Sequence, residues 1–196
     1  MLYELRAYDL IAGKAPAYLE LFRTAGVQYV TRHLPMAGYW LTDSGTLNRI
    51  YHLWIYESLE ERAACRARLA GDRDWNDGFV PNGFPLIVTQ RNFIMAVRET
   101  SPSLDAVTDA RNTVHDGQTK AEPMFSPSLL SLTFTFGKSV SSSGKTERIG
   151  MWEVKSGSEV GMTVSLFRHP DGNALSTANG AGRHEILRPL SLSPIR

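Results

Sequence analysis

His52 stands in the run Tyr51-His52-Leu53-Trp54-Ile55-Tyr56, and it is the residue best placed by type to do chemistry. Imidazole titrates near neutrality, so it can move a proton or hold a hydrogen bond in either direction. Near the N terminus, Glu4, Arg6 and Tyr8 alternate with Tyr3, Leu5 and Ala7, so a strand would present the three polar residues on one face. A carboxylate there could orient the imidazole, and a guanidinium could hold a carboxylate or an oxyanion. Trp40, Thr42, Trp54 and Tyr56 complete a polar and aromatic set suited to a small amphipathic or aromatic ligand. His52 is then the candidate catalytic residue, and Glu4, Arg6, Tyr8, Trp40, Thr42, His52, Trp54 and Tyr56 the candidate ligand-binding residues. The plainer use of the same residues is structural. Glu4 and Arg6 pair across a sheet, His52 bonds to Tyr56 or a backbone carbonyl, and the tryptophans fill a core.

The totals exclude several other functions. A net charge of +1 over 196 residues leaves no electrostatic footprint for nucleic acid or an anionic membrane. Arg62, Arg66 and Arg68 cluster, but Glu57, Glu60 and Glu61 stand beside them, which reads as a solvated helix face. Cys65 is the single cysteine, so no internal disulfide forms, and its alanine neighbours mark it as a packed side chain. His33, His52, His115, His169 and His184 lack paired ligand spacing, so no metal site and no cofactor is expected. Haem on a lone histidine is the one cofactor chemistry left open. Without a leader pattern or an apolar run of membrane-spanning length, the expectation is a cytoplasmic protein with no membrane insertion.

The elements that must carry these residues follow from periodicity. A strand over 2–8 precedes a helix from Pro16 to about 28, whose stripe is Tyr18, Leu19, Phe22 and Ala25. Strands over 36–43 and 48–56 flank the turn signal Asp43-Ser44-Gly45-Thr46. Ser58 and Glu61 make a capping box for a second helix ending near Gly71. A short turn over 74–79 leads to a fourth strand over 85–97, whose inward parity alternation leaves open: Gln90 and Asn92, or Thr89 and Arg91. The order β-α-β-β-α-β is the ferredoxin-like unit. Residues 99–127 read as a connector with one helical turn near 103–110, and the sequence leaves open whether they form a lid over the cavity. Extended segments follow at 129–136, 148–154, 161–167 and 184–192, separated by short loops at 139–147 and 169–183.

The second half repeats the first. Gly38-Tyr39-Trp40 through Ser44-Gly45 matches Gly150-Met151-Trp152 through Ser156-Gly157 at an offset of 112. The short loops leave no room for the two helices, so residues 128–196 form a degenerate half without them. Its strands alternate Ser131, Thr133 and Thr135 with Leu130, Leu132 and Phe134, so the apolar set faces another layer. Carried over at the same offset, Trp152 matches Trp40, Val164 matches His52 and Leu166 matches Trp54. That places Trp40, His52 and Trp54 away from the helices, inside a space between two sheets. Glu4, Arg6 and Tyr8 join them if the plainer face of the first strand meets the helices. The expected fold is α+β: two ferredoxin-like halves, 1–98 and 128–196, as two four-stranded antiparallel sheets closing one barrel.

The motifs of the first half resemble the NIPSNAP family. They are Tyr3-Glu4-Leu5-Arg6, the Gly38-x-Trp40 pair, Gly45-x-Leu47-Asn48, His52-Leu53-Trp54-x-Tyr56, an arginine-rich helix and Trp75 after it. The resemblance covers about 1–97 and fades over 128–196. It implies a dimeric α+β barrel, built from two ferredoxin-like units in one chain or two, and no settled activity. Three functions fit: binding of a small amphipathic or aromatic molecule between the sheets, a cofactor-independent oxygenase or isomerase using His52, or an interaction module with a filled barrel. The last includes self-association as a homo-oligomer through the helices or a strand edge.

Overall fold

A computed structural model describes residues 1–137, 146–170 and 182–196. The first half runs β1 (Leu2–Leu10), α1 (Ala15–Leu21), a π-helical turn (Phe22–Gly26), α2 (Val27–Thr31), β2 (Met36–Ser44), β3 (Arg49–Tyr56) and α3 (Leu59–Ala70). A second π-helical turn (Asp74–Phe79) and α4 (Val80–Gly83) lead to β4 (Ile87–Glu99). The connector carries α5 (Pro102–Asp109), and the second half supplies β5 (Leu129–Thr135), β6 (Glu147–Gly157), β7 (Thr163–His169) and β8 (Arg183–Pro189). The caps follow the sequence: the Ser58 hydroxyl accepts from the Glu61 amide, and Ser101 likewise caps α5 through Leu104. Between β5 and β8, no helix occurs among the described residues.

The eight strands close into one barrel in the order β1-β3-β2-β8-β5-β7-β6-β4. Each half keeps the ferredoxin order, β4-β1-β3-β2 and β8-β5-β7-β6. The expected two four-stranded sheets are instead one continuous sheet, because β2 pairs with β8 and β4 pairs with β6. Closure removes the unpaired edges that two open sheets would expose.

Side chains fill the barrel, one of the two states open to an eight-stranded cylinder, which can otherwise hold a small ligand. Tyr3, Leu5, Trp40, Tyr51, Leu53, Phe93, Leu132, Phe134, Trp152, Val164 and Leu166 belong to one buried cluster. The repeated Gly-x-Trp has a steric cause. In each half the indole folds back over the glycine, so a Cβ would lie 2.0 Å from Trp40 at Gly38 and 2.5 Å from Trp152 at Gly150. One mouth of the barrel is polar, with Arg49 bonding to Asp9 at 2.6 Å and lying 3.6 Å from Glu185. Leu104 of α5 joins the interior cluster, and the Tyr3 hydroxyl meets Thr108 at 3.2 Å. The connector therefore packs against the barrel near Trp152. Its later part lies on the π-helical turn after α1: Arg23 donates to the carbonyls of Thr119, Lys120 and Glu122.

The expected direction of His52 is reversed. Trp40, Trp152, Val164 and Leu166 face inward as the repeat implies, but so do Tyr51, Leu53 and Ile55. His52, Trp54 and Tyr56 face the helices. The cause is a one-residue difference in hairpin length: Trp40 pairs with Tyr51, whereas Trp152 pairs with Val164. The true counterpart of Val164 is Tyr51, and a slip of one residue exchanges the faces of a strand. Glu4, Arg6 and Tyr8 follow His52 to the helix side, since Arg6 pairs with His52 and Glu4 with Trp54 across β1 and β3. Of the eight candidate ligand-binding residues, Trp40 and Thr42 alone lie inside the barrel.

Candidate functional site

The outer face of β4-β1-β3-β2 is roofed by α1, α2, α3 and the two π-helical turns. Between roof and sheet lies a cavity of about 230 Å³ lined by Arg6, Tyr8, His52 and Trp54 from the strands. Four of the candidate residues are thus brought together, on the opposite side of the sheet from the expected position. Tyr18, Phe22, Tyr39, Trp75 and Phe84 give aromatic walls, and Val30, Leu34 and Leu69 give aliphatic ones. Glu4 and Tyr56 lie beside this space on the same face. Trp40, by contrast, donates its indole N–H to the Ile195 carbonyl at 2.9 Å within the barrel.

His52 is 3% exposed. The Tyr39 ring stacks against it at 5.0 Å, and Tyr8 and Trp54 meet it edge-on at 4.6 and 5.5 Å. The Trp54 indole N–H donates to His52 Nδ1 at 2.6 Å. Indole nitrogen only donates, so Nδ1 carries the lone pair and the neutral ring holds its proton on Nε2. Burial, with the Arg6 and Arg66 charges adding to it against Glu4, holds the imidazole pKa well below its ordinary value. His52 is therefore a neutral ring presenting an N–H at Nε2, and that buried nitrogen has no hydrogen-bond partner.

Glu4 is the electrostatic centre of the face, fully buried and surrounded by donors. Arg62 reaches both oxygens at 2.7 and 3.0 Å, Arg66 donates at 2.7 Å, Asn92 at 3.1 Å and Arg6 at 3.5 Å. Desolvation alone would raise this carboxyl. The bonds and charges of Arg62, Arg66 and Arg6 overcome it and hold the pKa at about 2. Arg6 also donates to Gln90 at 3.0 Å and lies over the Tyr8 ring.

Sequence reasoning left the parity of β4 open and missed two of these arginines. Asn92 pairs with Arg6 and Gln90 with Tyr8, so Gln90 and Asn92 face the helices, while Thr89 and Arg91 turn inward. Arg62 and Arg66 are not part of a solvated helix face; both ion pairs go down to Glu4. A signal was present, because Arg62, Arg66 and Leu69 follow the spacing of one helix stripe and Leu69 is apolar. Among the described residues no cluster of three or more His, Cys, Asp or Glu side chains could hold a metal ion. None of the described helices is long and apolar enough to cross a membrane.

Comparison with known proteins bears on the half that carries this site. A NIPSNAP family model matches residues 3–102. Protein NipSnap homolog 3B of Mus musculus is 39% identical over 82 residues, which are 41% of this chain and 33% of that protein. Protein NipSnap homolog 3A of Homo sapiens is 32% identical over 93 residues, 47% of this chain and 37% of that one. The chain thus spans about a third of the length of the curated relatives it matches. A crystal structure of a NIPSNAP family protein of unknown function from Agrobacterium tumefaciens is 39% identical. It covers 52% of this chain and 92% of its own, with a TM-score of 0.50. Over the whole chain the likeness is one of fold: a solved structure 10% identical covers 99% of this chain and 96% of its own at a TM-score of 0.52.

Proposed function

Since the chain belongs to the NIPSNAP family, whose match covers the half with the aromatic pocket, we propose that it binds a small amphipathic or aromatic molecule beneath its helices. The observation that carries this reading is the convergence of Arg6, Tyr8, His52 and Trp54 on one cavity of about 230 Å³. A mixed aromatic and aliphatic wall with a few convergent polar groups is the usual make-up of a ligand pocket. The sequence placed the ligand between the sheets, but Trp40, Tyr51, Phe134 and Trp152 occupy that space.

An oxygenase or isomerase that uses His52 as its base fits poorly. A general base must offer a lone pair to the substrate. Here Nδ1 is bonded to Trp54, and Nε2 carries the proton. If a reaction occurs in the pocket, His52 serves it as a hydrogen-bond donor.

The test is a thermal-shift and calorimetric screen of small aromatic compounds against the wild-type chain and Ala70→Trp. Ala70 is an exposed residue on the pocket lining, and an indole there obstructs the cavity at little cost to the core. The reading expects ligands whose binding is lost in Ala70→Trp. Binding equally strong in both proteins would place the ligand elsewhere.

A further inference from the structure

The polar groups around the pocket are unbalanced in kind. Three buried nitrogens on its lining residues have no partner: Nε2 of His52, Nε of Arg6 and Nε of Arg66. All three are donors. No lining residue carries a buried acceptor in the same condition. Buried polar groups in folded proteins are nearly always paired, so this set identifies what an occupant must supply.

Glu4 cannot supply it. Its Oε1 already accepts from Arg6, Arg62 and Asn92, and its Oε2 from Arg62 and Arg66. That is at or beyond the roughly four lone-pair sites of a carboxylate. Its charge is outnumbered as well. The ion pairs of Arg6, Arg62 and Arg66 all go to Glu4, so three guanidiniums share one carboxylate and two positive charges remain in excess. The remaining walls are aromatic and aliphatic apart from Gln90, whose Oε1 already accepts from Arg6, and the excess charge of the arginines repels a cation that the aromatic faces could otherwise hold.

We infer that the pocket selects an anion: a small aromatic or aliphatic molecule whose carboxylate-type oxygens accept from His52 Nε2 and offset the charge of Arg6 and Arg66. This rests on the sub-helical pocket being the binding site. The body of the molecule lies against Tyr39, Trp54, Trp75 and Leu69. The oxyanion lies at the β1-β3 floor, where a neutral imidazole donates without having to be protonated. A neutral donor beside two arginines accepts an anion with no proton uptake, unlike a histidine that must first become charged.

The probes are phenylacetate and indole-3-acetate, each compared with its neutral amide, phenylacetamide and indole-3-acetamide. Isothermal titration should give Kd values at least about tenfold lower for the carboxylates, and added salt should narrow that gap. Arg6→Met should remove the preference. Nitrogen-15 correlation spectra of the unmutated chain give a second readout, in which the His52 Nε2 resonance moves with the carboxylates and not with the amides. Amides that bind as tightly as the acids, with Ala70→Trp abolishing both, overturn the anion while leaving the pocket reading in place. No binding by any probe at low-millimolar concentration, or binding unaffected by Ala70→Trp, overturns both.

Discussion

Replacing Glu4 by Gln removes one negative charge from among Arg6, Arg62 and Arg66 while keeping the size of the side chain. The carboxyl pKa falls from 4.5 to about 2 on folding, which corresponds to roughly 3 kcal/mol of stabilisation of the charged form. Loss of one partner from a buried ion pair costs about 3–5 kcal/mol in other proteins, so the two routes agree. For a chain of this length a loss of about 3 kcal/mol is a fall in Tm of about 6–12 °C. The sign with pH follows from the depressed pKa. The contribution is fully present above 4.5, the unfolded value, and is lost as pH falls toward about 2. One pH unit below 4.5, about 1.4 kcal/mol of it is gone. Urea unfolding of both proteins at several pH values between neutrality and 3.5 measures the gap. It should be about 3 kcal/mol at pH 7 and shrink as the buffer is acidified. A gap below about 1 kcal/mol, or one independent of pH, would refute the view that Glu4 is a charged, paired centre.

Trp54→Phe deletes the indole donor to His52 Nδ1. It should cost about 1–3 kcal/mol, and nitrogen-15 spectra should show the ring no longer confined to the Nε2-protonated form. Arg23→Met removes the bonds to the carbonyls of Thr119, Lys120 and Glu122. Trypsin should then cut after Lys120 much faster than in the wild type, with a stability loss of about 1.5–3 kcal/mol. Ser58→Ala should lower stability by about 1 kcal/mol through loss of the α3 cap, measured by thermal unfolding.

Much of the fold was legible because period-2 alternation and turn chemistry are local. The β-α-β-β-α-β order, the Ser58 cap and the inward faces of β5 and β7 all follow from short stretches of sequence, as does a second half without helices among the described residues. The Gly-x-Trp repeat was legible for a steric reason that the structure makes explicit: glycine is needed where the indole folds back. The family resemblance was readable too, and four of the candidate residues line one pocket, whose use as a binding site is the proposal made above. The direction in which they point was not readable, and the reason is specific. Trp40 and its partner Tyr51 are eleven residues apart, while Trp152 and Val164 are twelve apart. The longer hairpin turns through Gly157, Glu159 and Gly161, all with positive φ. One inserted residue leaves the repeat visible in β2 and β6 and inverts the inference for β3. The assignment of β1 failed independently. A strand face bearing Glu4 and Arg6 was placed away from the helices because helices were expected to cover the plainer side. Charge pairing argues the other way. A buried carboxylate needs counter-charge within reach, and the inward set read from the second half, Leu130, Leu132, Val164 and Leu166, has none to give. Arg62 and Arg66, spaced one helical turn apart on the stripe of Leu69, were the cations able to reach it. Had Glu4 been matched to them first, β1 would have turned toward α3, and β3, its antiparallel neighbour in the ferredoxin order, would have carried His52 with it.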